Sequence, residues 1–492
     1  MKKLRLCLCV MLCACLLFSC AAPQEEHPTA PLPTAVAPSA PYGDAALRYT
    51  ATVPLYLPSR DGQTLLAFYD QLTLTYGQHP AEDILTALLS HEGNSRVAPI
   101  GGTTSLTLAG NDPVMLTGGV CSVNLAASAL ILSSEELYTA AQAITATLCQ
   151  LEDVDYVTIM IAGAPAAMDV GGNLPLGLLS TSPGQELPIL WEQFNAKRTP
   201  VGSLASTTPL ATTAALYFPL ADHSGVEAEP RRLSFPGQHP QQLIVTLLEA
   251  LSSGAAILDH AAPVPDILRM MLFMPEVFEL EGGGRRVNLY FSPDVLEKLR
   301  EQGSDPICFF TSITLTLTSF VPSLQQVCIL AGDAGLTSVP SDAQGTRLYP
   351  GALHTRDHDH DLVMSRVTFC LPGQDGLTLQ PVSMPYRQAR SPRQLLLRLA
   401  QEGAWPAPLT DADIQGISVQ DGTLLINLSE RYGKRLREAD DQRMIAYSAI
   451  TTLCEALELR RVRFYFGGSA VTQDTGDFTW SGEFMYRPGM GK

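Results

Sequence analysis

One ordered set of short motifs occurs three times along the chain. Each copy begins with an apolar strand that ends in proline, at 55–58, 216–219 and 369–372. Each then has a helix that starts at proline, at Pro80, Pro240 and Pro392. Each later has a strand that ends in Val/Ile-Asn-Leu, at 123–125, 287–289 and 426–428. Because repeats of this kind decide the architecture, the order predicts one domain used three times.

The last part of each copy keeps a fixed spacing. A helix carries the pair Thr-Leu, and a glycine follows an apolar strand 15 residues after that leucine in every copy. The leucines are Leu148, Leu317 and Leu453, and the glycines are Gly163, Gly332 and Gly468. This regularity indicates a repeated architecture and argues against a single catalytic centre.

The first copy gives the order of elements. We expect strands at 51–57, 65–74, near 105–108, at 120–125 and at 156–161, with helices over 80–91 and from Ser133 onward. Ser133 and Glu136 form a capping-box pattern, and Ser391 with Gln394 repeats it in the third copy. The order β-β-α-β-β-α-β, with one apolar stripe on each helix, predicts an α/β fold. We expect three tandem two-layer α/β sandwiches, each a mixed sheet with helices on one face.

Composition shifts divide the chain into eight segments. The predicted layout is a signal peptide at 1–20, a Pro/Ala-rich tether at 21–47, domains at 48–164, 213–332 and 366–472, linkers at 165–212 and 333–365, and a tail at 473–492. The linkers are rich in Gly, Pro, Ser and Thr, as connecting segments usually are. Trp191 lies inside the first linker, so we expect that segment to pack on a neighbouring domain.

The amino terminus predicts the location of the protein. Lys2, Lys3 and Arg5 precede the apolar run 6–18, which is typical of a secretion signal. The ending Leu-Phe-Ser-Cys resembles a bacterial lipoprotein box, which implies cleavage before Cys20 and lipid on its thiol. An ordinary signal peptide is the alternative. Two acyl chains make anchoring stable, so we expect the protein on the extracytoplasmic face of the membrane, with 21–47 as an extended tether.

Charge and cysteines limit the classes of partner. The formal net charge of −17 argues against nucleic acid, whose phosphates require a basic surface. Arginine clusters in the third copy predict solvated helix faces or, alternatively, a docking surface for an acidic protein or envelope polymer; they lie at 387–398, 431–437 and 460–463. The six cysteines after the signal are expected to be buried free thiols, with a Cys308–Cys328 disulfide as the alternative.

Two polar features are candidates for chemistry. Histidines and aspartates alternate at 354–361, and an extended chain would place His358 and His360 on one face, as zinc ligands require. A solvated polar loop is the competing interpretation, which we favour. The repeated asparagines Asn124, Asn288 and Asn427 are expected to satisfy local backbone groups and not to form a site.

The ordered motifs together resemble the GerMN domain family. The segments from Val123 to Gly163 and from Ile426 to Gly467 are most similar to it, whereas the middle copy has a longer stretch after Asn288. The resemblance implies surface lipoproteins with tandem domains that act in sporulation and germination of spore-forming bacteria. Members usually carry one or two such domains, so three copies depart from the pattern.

The remaining motifs predict a protein without catalysis. G-x-S-x-G, H-E-x-x-H and G-x-x-x-x-G-K-[ST] do not occur after the signal. We therefore expect no cofactor, no metal and no enzymatic activity. The leading hypothesis is a membrane-anchored scaffold that binds envelope or sporulation-complex proteins, with self-association left open. The alternative is an envelope lipoprotein that binds a small ligand or a cell-wall fragment between domains.

Overall fold

The structure is a computed structural model. It describes residues 38–45, 47–110, 112–169, 171–182, 184–373, 377–386, 391–471 and 478–486. The predicted signal peptide with Cys20, and most of the tether, lie outside the described residues. Met1–Ser39 and Ala40–Lys492 are separate units, and the helices and strands of the described residues lie in the second. Within the described ranges, no helix has the length and apolar character needed to cross a bilayer.

The first repeat (48–164) contains a hairpin and a mixed sheet. Its elements are β1 (Arg48–Pro58), β2 (Leu65–Thr75), α1 (Ala81–Ser90), β3 (Val114–Thr117), β4 (Val120–Leu125), α2 (Ser134–Leu148), β5 (Tyr156–Ile161) and β6 (Ala164–Pro165). β1 and β2 pair only with each other, and the other strands form a sheet in the order β3-β4-β5-β6, with β4 parallel to β5. The predicted element order is confirmed, but the strands divide between two sheets.

Details of the first repeat explain how its sequence folds. Ser133 accepts a hydrogen bond from the N–H of Glu136, whose carboxylate accepts one from the N–H of Ser133, so the predicted capping box is confirmed. The strand expected near 105–108 is wrong: that stretch makes only an isolated bridge, between Leu108 and Leu125, and the edge strand is β3.

The second repeat (213–332) follows a folded connection. Its elements and those of the connection are α3 (Leu187–Asn195), β7 (Leu210–Pro219), β8 (Val226–Phe235), α4 (Pro240–Ser252), α5 (Ile267–Met270), β9 (Glu276–Glu279), β10 (Arg285–Phe291), α6 (Val295–Glu301), α7 (Pro306–Thr318), β11 (Leu324–Ala331) and β12 (Ala334–Gly335). β7 and β8 form the hairpin, and the mixed sheet has the order β12-β11-β10-β9, with β10 parallel to β11.

The third repeat (366–472) has the same arrangement and is preceded by a second folded connection. The elements are β13 (Ser338–Ser341), β14 (Gly345–Leu348), β15 (Leu353–His354), α8 (Arg356–Asp359), β16 (Ser365–Pro372), β17 (Leu379–Tyr386), α9 (Pro392–Gln401), β18 (Ile414–Gln420), β19 (Thr423–Leu428), α10 (Glu430–Glu438), α11 (Gln442–Leu457), β20 (Arg461–Phe466), β21 (Ser469–Ala470) and β22 (Phe484–Met485). Its mixed sheet has the order β18-β19-β20-β21, and β19 is parallel to β20.

Turn and cap chemistry in the third repeat follows the sequence only in part. Asp421 and Gly422 both have positive φ between β18 and β19, as a two-residue hairpin turn requires. Ser391 makes no capping hydrogen bond, so the capping box predicted there is not formed. The neighbouring Arg393 instead binds Asp44 and Asp411.

Both segments that we predicted as linkers are folded. In 165–212, Leu190 and Phe194 of α3 are buried, and the ring of Trp191 lies 5.6 Å from that of Tyr138 on α2. In 333–365, β15 pairs with β11, so this connection extends the sheet of the second repeat. Two large apolar cores result: one joins the first two repeats, and the other belongs to the third.

The same buried hydrogen bond joins the hairpin to the long helix in all three repeats. The hydroxyl of the threonine in each Thr-Leu pair accepts a hydrogen bond from a main-chain N–H. The donor is the second residue of the four-residue strand motif that ends in proline. The pairs are Thr147 with the N–H of Tyr56, Thr316 with that of Tyr217, and Thr452 with that of Cys370, each at 2.9 Å. These bonds make Tyr56, Tyr217 and Cys370 equivalent positions.

A β-bulge shifts the second repeat by one residue. The pairing of β10 with β11 skips Gln325, between Leu324 and Gln326. The main-chain bond that closes the following turn therefore comes from Ala162, Gly332 and Gly467 in the three repeats, and its acceptors are Leu125, Phe291 and Leu428. The glycines 15 residues after the leucines thus do not all occupy the same turn position.

We expect Thr316→Val to destabilise the protein by about 1–3 kcal/mol, because the buried N–H of Tyr217 would lose its acceptor without a change in side-chain volume. Urea unfolding measures the free-energy change. Thr86→Val is the control, since Thr86 is exposed and bonds only within α1. Equal stability of the two variants would contradict a role for the buried bond.

Candidate functional site

The central strand of each mixed sheet divides its side chains between two faces. One face points into the repeat core, as Leu424, Ile426 and Leu428 of β19 do. The opposite side chains form what we call the outer face. It consists of Val120, Ser122 and Asn124 in the first repeat, Arg286, Asn288 and Tyr290 in the second, and Thr423, Leu425 and Asn427 in the third. How each outer face is covered differs among the repeats.

Two of the three repeated asparagines occupy the same place on this face. Asn124 Oδ1 accepts a hydrogen bond from the N–H of Gly163 (2.9 Å), and Asn427 Oδ1 accepts one from Gly468 (3.0 Å). Their structural role is therefore confirmed. For Asn288 the prediction is wrong, because the bond that reaches Phe291 makes Tyr290 the equivalent residue, two positions later.

Residues 41–45 lie along the edge strand β18 and over the Asn427 end of the third repeat's outer face. The N–H of Gly43 donates to Gln415 O (2.8 Å), and that of Ala45 donates to Ile417 O (3.1 Å). Asn427 Nδ2 donates to Pro41 O (2.9 Å). The end of the predicted tether therefore binds the last repeat as an added strand.

An ion pair strengthens this attachment. Arg393 forms two hydrogen bonds to the carboxylate of Asp44, at 2.8 and 2.7 Å, and Asp44 also accepts one from the N–H of Ile417 (3.1 Å). Gly416 permits the close approach, because a Cβ there would lie 2.6 Å from Pro41 O. The pairing between residues near 44 and near 416 joins distant parts of the sequence, and no local pattern predicts it.

The second repeat covers the outer face of the first. Val120 and Met115 form a small apolar core with Ala215 and Tyr217 of β7 and with residues of β8 and α7. The hydroxyl of Thr117 accepts a hydrogen bond from the N–H of Ala228 (3.1 Å) and donates one to Met364 O (2.6 Å). The outer face of one repeat is thus the receptor for the hairpin of the next.

The histidine–aspartate cluster has a buried centre, formed by His354 and Asp359. His354 and Asp359 have no exposed surface, and the ring of His354 stacks on Tyr349 with centroids 3.6 Å apart. The solvated loop that we favoured is therefore wrong. His358 and His360 lie on or beside a helix and not on an extended strand, and His360 pairs with Asp112 at 2.8 Å. Among the described residues, no group of three or more His, Cys, Asp or Glu could hold a metal.

Burial sets the protonation states in this cluster. Removal from water lowers the pKa of His354, so its ring is favoured in the neutral form. Burial alone would raise the pKa of Asp359, but neighbouring His354, His358 and Arg347 lower it overall. Arg347 also pairs with Asp361 at 2.6 Å. The arrangement holds the second connection against α7.

A small cleft lies between the first repeat and the second connection. Its volume is about 190 Å³, and its lining includes Asn124, Ser122, Arg356 and His360. Two other clefts have volumes of about 250 and 180 Å³. Ligand sites usually occupy roughly 300 Å³ or more, so these clefts fit only small groups.

The cysteines and the basic clusters have structural surroundings. The six described cysteines are free, so a Cys308–Cys328 disulfide is not present. Burial raises the pKa of Cys370 and of Cys454 to about 12, which keeps these thiols protonated and unreactive. Several described arginines of the third repeat pair with nearby acids, as solvated faces do; examples are Arg398–Glu402, Arg431–Asp413, Arg437–Glu430 and Arg461–Glu483.

The fold and the covered sheet faces define a protein of tandem mixed α/β units that bind one another and the chain's own tether. Residues 54–167 match the family model described as Germane: Sporulation and spore germination. Within this segment the chain is similar to GerM-like sporulation and germination proteins, which confirms the resemblance stated above. The match covers the first repeat, and the other two lie outside it.

Several solved structures are similar to parts of the chain. The tandem GerMN domains of the sporulation protein GerM from Bacillus subtilis share 19% identity with it over 58% of this chain and 92% of that one, with a TM-score of 0.22. A putative lipoprotein from Clostridium perfringens shares 16% over 27% and 88% (TM-score 0.18), and the first GerMN domain of GerM shares 21% over 27% and 94% (TM-score 0.19). No curated protein matches the chain significantly.

The lowered pKa of His354 makes stability depend on pH. An unfolded histidine takes up a proton below about pH 6.5, whereas the native state resists it, so stability falls by up to about 1.4 kcal/mol per pH unit as pH decreases below that value. We expect His354→Phe, which can keep the stack on Tyr349, to remove this component between pH 6.5 and 5. Asp359, whose pKa is lowered, contributes a separate loss that sets in below about pH 4.

Urea unfolding at pH 5, 6 and 7.5 measures the effect. His239→Gln is the control, because His239 is exposed at the start of α4. If His354→Phe and the control keep the same pH dependence as the natural protein, the buried histidine does not contribute.

Proposed function

We propose that the protein is an extracytoplasmic lipoprotein, anchored through lipid on Cys20, that acts as a non-enzymatic scaffold in sporulation or spore germination. The family match at 54–167 supports the cellular process. The basic and apolar amino terminus that ends at Cys20 supports the anchor. Its partners are envelope or sporulation-complex proteins, which meet surfaces held at fixed positions by the packing of the repeats.

The binding of residues 41–45 to β18 is the observation that carries this proposal. A tether that ends in a free loop would leave the repeats to move independently of their attachment. Here main-chain bonds from Gly43 and Ala45 and the ion pair of Asp44 with Arg393 fix the tether's end to the third repeat. The anchor would then hold the first and the last repeat together, and so set the orientation of the whole body at the membrane.

The interior of the protein also favours binding over catalysis. Thr117, Asn124 and Asn427 bond to main-chain groups and so stabilise contacts within and between repeats. The clefts of about 180–250 Å³ are small for a cell-wall fragment. The alternative, a lipoprotein that captures such a fragment, therefore has less support than a scaffold.

Asp44→Ala should loosen the attachment of the tether. Removal of a charge-assisted, partly exposed pair with Arg393 is expected to reduce the hydrogen-exchange protection of the Gly43 and Ala45 amides about tenfold. Asp411→Ala is the matched control, since Asp411 also binds Arg393 (3.1 Å) and, within the described residues, forms no hydrogen bond or ion pair with 41–45. Unchanged protection in Asp44→Ala would show that the ion pair does not hold the strand.

The anchor and the cellular role are tested together in the native host. We expect the natural protein in the membrane fraction, and we expect Cys20→Ala to lose that location because the acyl chains would be absent. Deletion of the gene is expected to reduce the count of heat-resistant spores or their germination, and only the lipidated form should restore it.

Three outcomes would contradict the proposal. Normal spore counts and germination after deletion would remove the sporulation role, and an unchanged membrane fraction for Cys20→Ala would remove the lipid anchor. A saturable rise in melting temperature with cell-wall fragments would favour the ligand-binding alternative.

A further inference from the structure

We propose that the outer face of the second repeat's mixed sheet binds the β1–β2 hairpin of a second copy of this chain. The inference rests on the interaction function proposed above and adds one partner and one pair of surfaces to it. It follows from a comparison of the three outer faces, two of which are covered by other parts of the same chain.

The outer face of the second repeat is the one that lacks such a cover within the described residues. Arg286, Asn288 and Tyr290 alternate with the buried residues of β10 and are only half-buried. Their counterparts Thr423, Leu425 and Asn427 in the third repeat are buried. The edge strand β9 beside them is also largely exposed.

Apolar side chains surround this uncovered face. Phe273 is 63% exposed, and its ring lies 5.8 Å from that of Tyr290; Phe278 lies under the guanidinium of Arg286 at 5.3 Å. Leu272 and Met274 are also exposed. A contiguous exposed patch of large apolar side chains is typical of a protein interface.

Polar atoms on the same face remain without partners. Nε of Arg286 and Oδ1 of Asn288 have no hydrogen-bond partner among the described residues. By contrast, both ends of the Asn427 amide are bonded once residues 41–45 cover that face. Polar groups in this position are therefore less fully bonded in the second repeat than in the third.

The first repeat identifies the kind of surface that fits. Its outer face receives the hairpin of the second repeat, with Ala215 and Tyr217 of β7 beside Ala228 of β8 in one apolar core with Val120. Backbone approaches closely there, since Gly118 has no room for a Cβ against Ala228 O. The outer face of one repeat in this chain thus packs against the hairpin of another repeat.

The hairpin of the first repeat presents the corresponding surface without a cover. The buried threonine bonds make Tyr56 equivalent to Tyr217, and the strand pairing makes Ala67 equivalent to Ala228. The side chains that share this face with Tyr56 are uncharged from position 50 to 73; they are Thr50, Thr52, Pro54, Leu65, Ala67, Tyr69, Gln71 and Thr73. Tyr69 at its centre is 67% exposed.

Both surfaces are exposed within one chain and do not contact each other there. They can therefore meet only when two copies associate. Each copy carries one hairpin and one open sheet face, so the contact is head-to-tail. The hairpin face is suited to such burial, since it brings apolar surface, two tyrosine hydroxyls and no charge of its own.

Sedimentation velocity of residues 21–492, which include all of Ala40–Lys492, tests the proposal. We expect the sedimentation coefficient to rise with protein concentration. Tyr69→Arg should weaken association at least about tenfold by placing a charge on the hairpin, and Phe273→Arg should do the same from the sheet face. Val201→Arg is the control, because Val201 is fully exposed and lies on neither surface. Far-UV circular dichroism confirms that each variant folds.

Mixing the two variants gives the sharpest result. Tyr69→Arg keeps an intact sheet face and Phe273→Arg keeps an intact hairpin, so an equimolar mixture should form a dimer and no larger species. A natural protein that stays monomeric at about 100 μM, variants that associate as the natural protein does, or a mixture that remains monomeric would each overturn the proposal. Loss of membrane location in Cys20→Ala would be unaffected by such a failure, so the anchored role is tested independently.

Discussion

A mixed sheet with helices on one face leaves its other face to be covered by another part of the protein, and this constraint organises the whole molecule. In each repeat the long helix is joined to the hairpin by a buried threonine, and it covers the inner face of the sheet. The outer face then requires apolar or main-chain partners from elsewhere. The first repeat obtains them from β7 and β8, and the third obtains them at Asn427 from residues 41–45. Contacts between repeats are thus a consequence of how each repeat folds.

The sequence allowed much of each repeat to be predicted because local signals agree there with the final structure. The capping box at Ser133, the apolar strand Tyr156–Ile161 and the turn at Asp421 and Gly422 depend on neighbours in the chain. The site was less predictable. The binding of Asp44 by Arg393 joins residues 349 positions apart, and the main-chain bond to Phe291 makes Tyr290, not Asn288, the equivalent of Asn124. Neither leaves a periodic pattern.

The burial within the second predicted linker was not predicted, for a related reason. Gly, Pro, Ser and Thr mark irregular backbone, but they do not indicate whether that backbone is buried. In 333–365 the polar residues His354 and Asp359 predicted a solvated loop. In the structure, His354 stacks on Tyr349 and Asp359 pairs with Arg347, and these contacts stabilise both residues in the interior. The resulting segment pairs through β15 with β11 and so becomes part of the second repeat's sheet.

That pairing has a consequence for the second repeat. With β12 and β15 on β11, one side of its sheet is closed, and the open side is β9 with the outer face of β10. In the first repeat the corresponding side receives the next hairpin, but the third repeat does not repeat that step, because Val363 pairs with Val226 and directs β16 toward β3 instead. The tandem array therefore ends its regular packing after one contact. The face that a regular array would have buried stays exposed. Its apolar side chains fit a surface that binds another hairpin, whereas a surface that faces only water would not need them.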